Sequence, residues 1–216
     1  MARSLKDRHC RKIKFNTLIF LRTFRQRTGP GCSENLYPML LQEYQEHWVD
    51  DFNEISSLLA AALRPLPVTI EHVGSTAIPQ LAAKPIIDID VVYGEGCNFA
   101  EIRAKLEGLG YVHNGNQGIS DREVFKWGWS EARHPVLDAT AHHLYVCPAH
   151  SEELQRHLRF RDFLRANEAA RIQYQRLKQE LAVAAHQDRK RYAQLKEAEA
   201  GEFIRGIVEK MDSMAG

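Results

Sequence analysis

The chain has 216 residues, and its 29 Lys and Arg against 28 Asp and Glu leave a formal net charge of +1. That length fills about one to one and a half typical domains, and the charge balance argues against a dedicated nucleic-acid binder held by global charge. No run approaches the roughly 18 to 20 apolar residues of a membrane-spanning helix, and Cys10, Cys32, Cys97 and Cys147 form no CxxC pair, so they read as free thiols of a soluble, cytoplasmic protein.

Residues 1–36 stand apart. Nine Lys or Arg face only Asp7 and Glu34, and the short apolar run Leu18 to Leu21 is followed at once by Arg22 and Arg25, which is too little for a signal peptide. The segment reads as a basic, disordered extension or as the product of a start placed too far upstream, with Met39 as the natural internal start. The domain proper then covers residues 37–216.

From Tyr44 the residues Trp48, Phe52, Ile55, Leu58, Leu59 and Leu63 recur at three and four, which predicts an amphipathic helix that Arg64-Pro65-Leu66-Pro67 stops. Val68 to Val73 reads as a strand that delivers His72 into the turn Gly74-Ser75-Thr76. Ser75 or Thr76 can cap a short helix running through Leu81 and Ala83, and Pro85 ends it. Next comes a strand, Ile86 to Val92, then a helix through Phe99, Ile102, Leu106 and Leu109, with Gly108 and Gly110 placed to close it. Strands follow at Tyr111–Val112, Arg122–Trp129 and Ala141–Cys147. Past Pro148 the pattern is helical only: Ser151 and Asn167 are candidate caps for two helices, and a third carries Tyr192, Leu195, Phe203, Ile204, Ile207 and Val208. Helix, then strands mixed with helices, then helices alone is an α+β layout.

The chemistry centres on His72 to Val92. Asp88 and Asp90 sit two apart in an apolar strand, so both carboxylates leave one face while Ile87, Ile89 and Val91 leave the other. Two acids side by side repel and call for a cation between them, and Mg²⁺ commonly takes one or two carboxylates, completing its shell with water and substrate phosphates. Gly74, Ser75 and Thr76 are the phosphate-binding candidates, since a glycine turn at a helix start exposes free amides. Lys84, Arg122 and Lys126 are candidates to neutralise phosphate, with Arg122 and Lys126 alternating on one strand face. If Leu144 and Val146 face the core, His143 and Tyr145 share the face of the acids; His143 could then be a metal ligand, a general base or a phosphate partner. Arg156, Arg159, Arg161, Arg165 and Arg171 are interleaved with acids and read as a solvated or internally paired helix face.

HVGSTAIPQLAAKPIIDI, residues 72 to 89, resembles the signature of the GrpB family, a group in the nucleotidyltransferase-like superfamily. The likeness extends through Tyr44, Trp48 and Phe52, through Arg122-Glu123 and Phe125-Lys126, through His142-His143-Leu144 and through residues 157 to 167. It implies a short mixed sheet with helices on one side and a C-terminal helical segment. Gly74 and Ser75 would hold a triphosphate and Asp88 and Asp90 Mg²⁺, as in transfer of a nucleotidyl group from a nucleoside triphosphate to a small-molecule or protein acceptor. Three departures stand out. Gln80 occupies a position usually held by Gly, so no positive φ is expected there. Lys196 and Phe203 stand farther apart than the family's closing pattern. No third carboxylate follows the paired acids on a later strand; Glu123 would supply it if its strand lay beside Asp88. The alternative to transfer is therefore a non-catalytic nucleotide or phosphate-ligand module, linked to nucleotide or coenzyme A metabolism because family members are sometimes joined to dephospho-coenzyme A kinase. A metal-dependent hydrolase using Asp88, Asp90 and His143 is a further reading.

Overall fold

The computed structural model describes residues 40–207, all within one compact unit; the expectations for residues 1–36 and for Met39 lie outside them. Helix α1 (His47–Leu63) buries Trp48, Ile55, Leu59 and Leu63, the three-and-four stripe of the sequence. Tyr44 stands before the helix, edge-on to Trp48 with ring centroids 5.5 Å apart.

Five strands form one mixed sheet in the order β1-β2-β5-β4-β3. They are β1 (Val68–Val73), β2 (Ile87–Tyr93), β3 (Val112–His113), β4 (Glu123–Lys126) and β5 (His142–Pro148). β1 runs antiparallel to β2 with Glu71 opposite Asp90 and Val73 opposite Asp88. β5 runs parallel to β2 with His143 opposite Asp88 and Tyr145 opposite Asp90. A parallel neighbour needs a long crossover, and here it contains α2 (Phe99–Leu109), β3, β4 and α3 (Pro135–Ala139).

Alternation along the strands sorts the two faces. Ile87, Ile89, Val91, Leu144 and Val146 join α1 and α2 residues in the first apolar cluster, so Asp88, Asp90, His143 and Tyr145 project from the other face. The C-terminal helices α4 (Glu152–Ala166), α5 (Glu168–Ala184) and α6 (Arg189–Leu195) build a second cluster, in which Phe160, Leu164, Tyr174, Leu181 and Tyr192 pack on Ile78 and Leu81. The β1–β2 loop is thereby held between the sheet and the C-terminal helices. This is the α+β architecture expected, a short mixed sheet with α1 and α2 on one face and a helical C-terminal segment.

Four local expectations differ. The helix foreseen from Ser75 to Ala83 is a single 3-10 turn, Ser75–Ala77, with no side-chain cap. Pro79 and a left-handed Gln80 (φ 65°) break it, and Ala83 instead exchanges two backbone hydrogen bonds of 2.8 Å with Gln42. The same φ overturns the expectation that Gln80 needs no positive φ; its side-chain oxygen accepts from Arg171 at 3.0 Å. Asn167 precedes α5 but caps it with no side-chain bond, unlike Ser151, whose Oγ accepts from the Leu154 amide. The last helix is interrupted by a π-turn, Lys196–Ala200, before residues 201–207 continue it.

Candidate functional site

The turn after β1 touches the acid strand at one point. Gly74 has φ 73° and ψ −168°, a region that only glycine occupies readily. A Cβ there would lie 2.3 Å from Asp88 Oδ2, so glycine permits both the conformation and the approach. His72 steadies the turn from below. Its ring stacks on Phe52 at 4.5 Å, and desolvation lowers its pKa to about 4, which keeps it neutral. Thr76 Oγ1 donates to the Ile86 carbonyl, so the His72 Nε2–H is left to donate to Thr76 Oγ1 at 3.1 Å.

The two carboxylates have different surroundings. Asp88 lines a cavity of about 300 Å³ together with Gly74, Ser75, Thr76, Lys84 and His143. His143 Nδ1 donates to Asp88 Oδ1 at 2.9 Å. Burial would raise the Asp88 carboxyl, but the hydrogen bond from His143, joined by the nearby charges of Lys196 and His157, outweighs it and holds the group below its ordinary value. Asp90 is fully buried and does not reach the cavity wall. Its Oδ2 accepts from His157 Nδ1 at 2.8 Å, and its Oδ1 has no hydrogen-bond partner.

His157 is a site residue that strand reasoning could not find, because it arrives from α4. Its Nε2 lies 3.2 Å from Glu153 Oε1. Burial disfavours its charge, yet the bonds to Asp90 and Glu153 outweigh burial and raise its pKa to about 9. Burial likewise opposes charge on Glu153, but bonds from His157 and Arg156 bring it to about 2. Arg122 completes this buried network rather than the cavity: it lies 3.4 Å from Glu153 and 4.9 Å from the centre of the Tyr145 ring. Lys126 stands at the end of β4, two strands from β2, and does not line the cavity. Glu123 supplies no third acid, since its strand pairs with β5 and not β2, and its carboxylate is bonded by His113 at 2.6 Å.

The helices hold the turn by its backbone. Arg161 donates to the His72 carbonyl at 3.0 Å, and Arg165 gives two hydrogen bonds, of 2.9 and 2.7 Å, to the Ala77 carbonyl. Gln175 accepts from the Ala82 amide at 2.9 Å while Lys178 donates to the Ala82 carbonyl. Lys178 and Lys196 join Lys84 on the cavity wall, with Tyr174 and Tyr192 beside them. For Lys178 the sequence carried a signal: Tyr174, Lys178, Leu181 and Ala182 form one buried helical stripe, so a lysine stands where an apolar residue belongs.

The donor set fits a hard cation. Each imidazole occupies one oxygen of its carboxylate, which leaves Asp88 Oδ2 against Gly74 and Asp90 Oδ1 unpartnered and buried. Among the described residues no group of three or more His, Cys, Asp or Glu forms a metal cage. Two carboxylate oxygens completed by water and phosphate are a common Mg²⁺ shell.

The layout is thus a mixed sheet with a glycine turn set against an acid-bearing strand, covered by C-terminal helices. The sequence model described as GrpB protein matches residues 38–210, and the chain belongs to the GrpB family. It is 33% identical over 157 residues to UPF0157 protein YqkA of Bacillus subtilis (strain 168), covering 71% of this chain but only 43% of that relative's length. To UPF0157 protein BH1888 of Halalkalibacterium halodurans it is 33% identical over 165 residues, covering 76% of this chain and 80% of that protein. The crystal structure of the conserved protein GrpB from Enterococcus faecalis superposes with a TM-score of 0.64 at 32% identity, covering 79% of this chain and 98% of that one. Cid1 poly(U) polymerase, in its MgGTP-bound crystal structure, reaches a TM-score of 0.41 at 9% identity over 57% of this chain and 42% of its own, too remote a likeness to bear on function. Among the described residues no helix is long and apolar enough to cross a membrane.

Proposed function

We propose that the cavity takes a nucleoside triphosphate and that the protein, a cytoplasmic enzyme, moves its nucleotidyl group to a small-molecule or protein acceptor. The observation that carries this reading is the contact of the Gly74 turn with Asp88 at the mouth of a cavity lined by three lysines. In it the amides of the Gly74–Ser75 turn and the Lys84 ammonium bind phosphate oxygens. Asp88 from the cavity wall and the buried Asp90 from behind it would hold Mg²⁺, which when bound supplies charge stabilisation at the phosphates. His143 keeps Asp88 oriented through Nδ1–H, and its neutral tautomer has a lone pair at Nε2 that can accept the acceptor hydroxyl's proton. The test is turnover of α-labelled nucleoside triphosphates with Mg²⁺, wild type against Asp88→Asn. Loss of product in the variant is expected; equal turnover in both proteins sinks the reading.

A second reading, a phosphate-ligand module without catalysis, draws on the ion pair that His157 makes with Asp90. That pair offsets the charge of one acid and competes with a metal for it. Mg²⁺-dependent nucleotide binding with no product after long incubation favours this reading, whereas steady transfer removes it.

A further inference from the structure

The cavity wall contributed from outside the sheet is cationic. Lys84 comes from the loop entering β2, Lys178 from α5 and Lys196 from the first residue of the π-turn, and Asp88 is the one acid among the described lining residues. None of the three lysines forms a salt bridge among the described residues. Lys178 is 2% exposed; its Nζ donates to the Ala82 carbonyl and lies 5.4 Å from the centre of the Tyr174 ring. Lys84 lies 5.5 Å from the centre of the Tyr192 ring.

Such a wall is costly if it serves packing alone. Burying an ammonium without a counter-charge is unfavourable, and like charges around one cavity raise the cost further. The consequence is visible at two of the three. Burial first, then Lys196 and Lys84, hold Lys178 well below 10.5, and burial followed by Lys196 lowers Lys84. A leucine or methionine at position 178 would fill the same stripe without that penalty. Lys196 is shifted the other way, first by Tyr174 beside it, and what relieves Lys84 and Lys178 together is a polyanion in the cavity.

We infer that Lys84, Lys178 and Lys196 form a subsite for the terminal phosphates of a nucleoside di- or triphosphate. The inference rests on the reading of this cavity as a phosphate site. It goes further in separating di- and triphosphates from monophosphates and in assigning that choice to the C-terminal helices. The charged groups facing Lys178 are Lys84 from the β1–β2 loop, Lys196 from the π-turn and Asp88 from β2. Asp88 is the one counter-charge among them, and two or more phosphate groups would add to it.

The test is titration calorimetry on the full chain without Mg²⁺, using inorganic triphosphate, ATP and AMP. Inorganic triphosphate is expected to bind and to compete with ATP, with AMP weaker by about tenfold or more. Lys178→Met and Lys196→Gln should each weaken triphosphate binding by a similar factor and leave AMP unchanged. Lys178→Met replaces a buried ammonium with an apolar chain, so its fold should survive, as a circular-dichroism melt verifies. AMP binding as tightly as ATP, or lysine variants that bind triphosphate as wild type does, overturn the subsite. Because no turnover is read, a failure of nucleotidyl transfer leaves triphosphate binding intact, whereas transfer that ignores the lysine variants sinks the subsite alone.

Discussion

At Gly74 two demands coincide, a backbone region that side chains avoid and an approach to Asp88 that leaves no room for a Cβ. Gly74→Ala is therefore expected to cost about 1 to 3 kcal/mol from the backbone alone and to push Asp88 from its place beside the turn. Urea unfolding measures the first effect and nucleotide affinity the second; a variant unchanged in both would show that the turn can move aside freely. His157 governs a pH effect of its own. Its folded pKa, about 9 against an ordinary 6.5, means the folded protein holds the proton more tightly. The stability it contributes is thus fully present below 6.5 and lost as pH rises through about 9. The shift corresponds to about 3 kcal/mol. The difference in unfolding free energy between wild type and His157→Asn should be largest in mildly acidic buffer and shrink steadily towards that upper limit. A difference that stays flat across the range would mean His157 is not charged in the fold.

At the scale of elements, the C-terminal helices explain a spacing that the sequence left open. Lys196 and Phe203 bracket the π-turn Lys196–Ala200; Lys196 lines the cavity and Phe203 stacks on Tyr174 at 5.4 Å. A π-turn accommodates one extra residue while the helix on both sides keeps its phase. Deleting the exposed Glu199 should convert the turn to regular helix and change stability by less than about 1 kcal/mol. Deleting the exposed Glu180 from α5 instead turns Leu181 and Ala182 by about 100° out of the second cluster. That should cost about 2 to 5 kcal/mol. The two urea midpoints decide the matter, and equal losses would mean that the π-turn is not an in-phase insertion.

For the whole molecule, what could be read in advance follows from local periodicity. Alternation in β2 and β5 put Asp88, Asp90, His143 and Tyr145 on one face, and Ser151 read as a cap. Periodicity is silent on which distant helix covers that face, so the His157 pair with Asp90, 67 residues away, was out of reach. So was the division of Arg122 from the cavity, because a basic residue on the right face looks the same whether it meets a ligand or Glu153. Lys178 was readable from its place in a buried stripe, but a lysine in a helix defaults to a solvated reading.

The two apolar clusters meet at the β1–β2 loop, where Ala83 joins the first and Ile78 and Leu81 the second. A ligand in the cavity would therefore bridge the turn after β1 to the C-terminal helices that line it. Opening of the last helix exposes few sheet residues, so its amides should exchange with solvent by local opening, and those of β2 and β5 only by global unfolding. If the proposed subsite is right, inorganic triphosphate would link the Gly74 turn to α5 and the π-turn through the lysines and stabilise every state in which both are in place. Hydrogen exchange followed by mass spectrometry should then show added protection in the turn after β1, in α5 and in α6 together. Protection confined to the turn would mean that the lysines do not share the ligand, and that the helices brace the loop without taking part in binding.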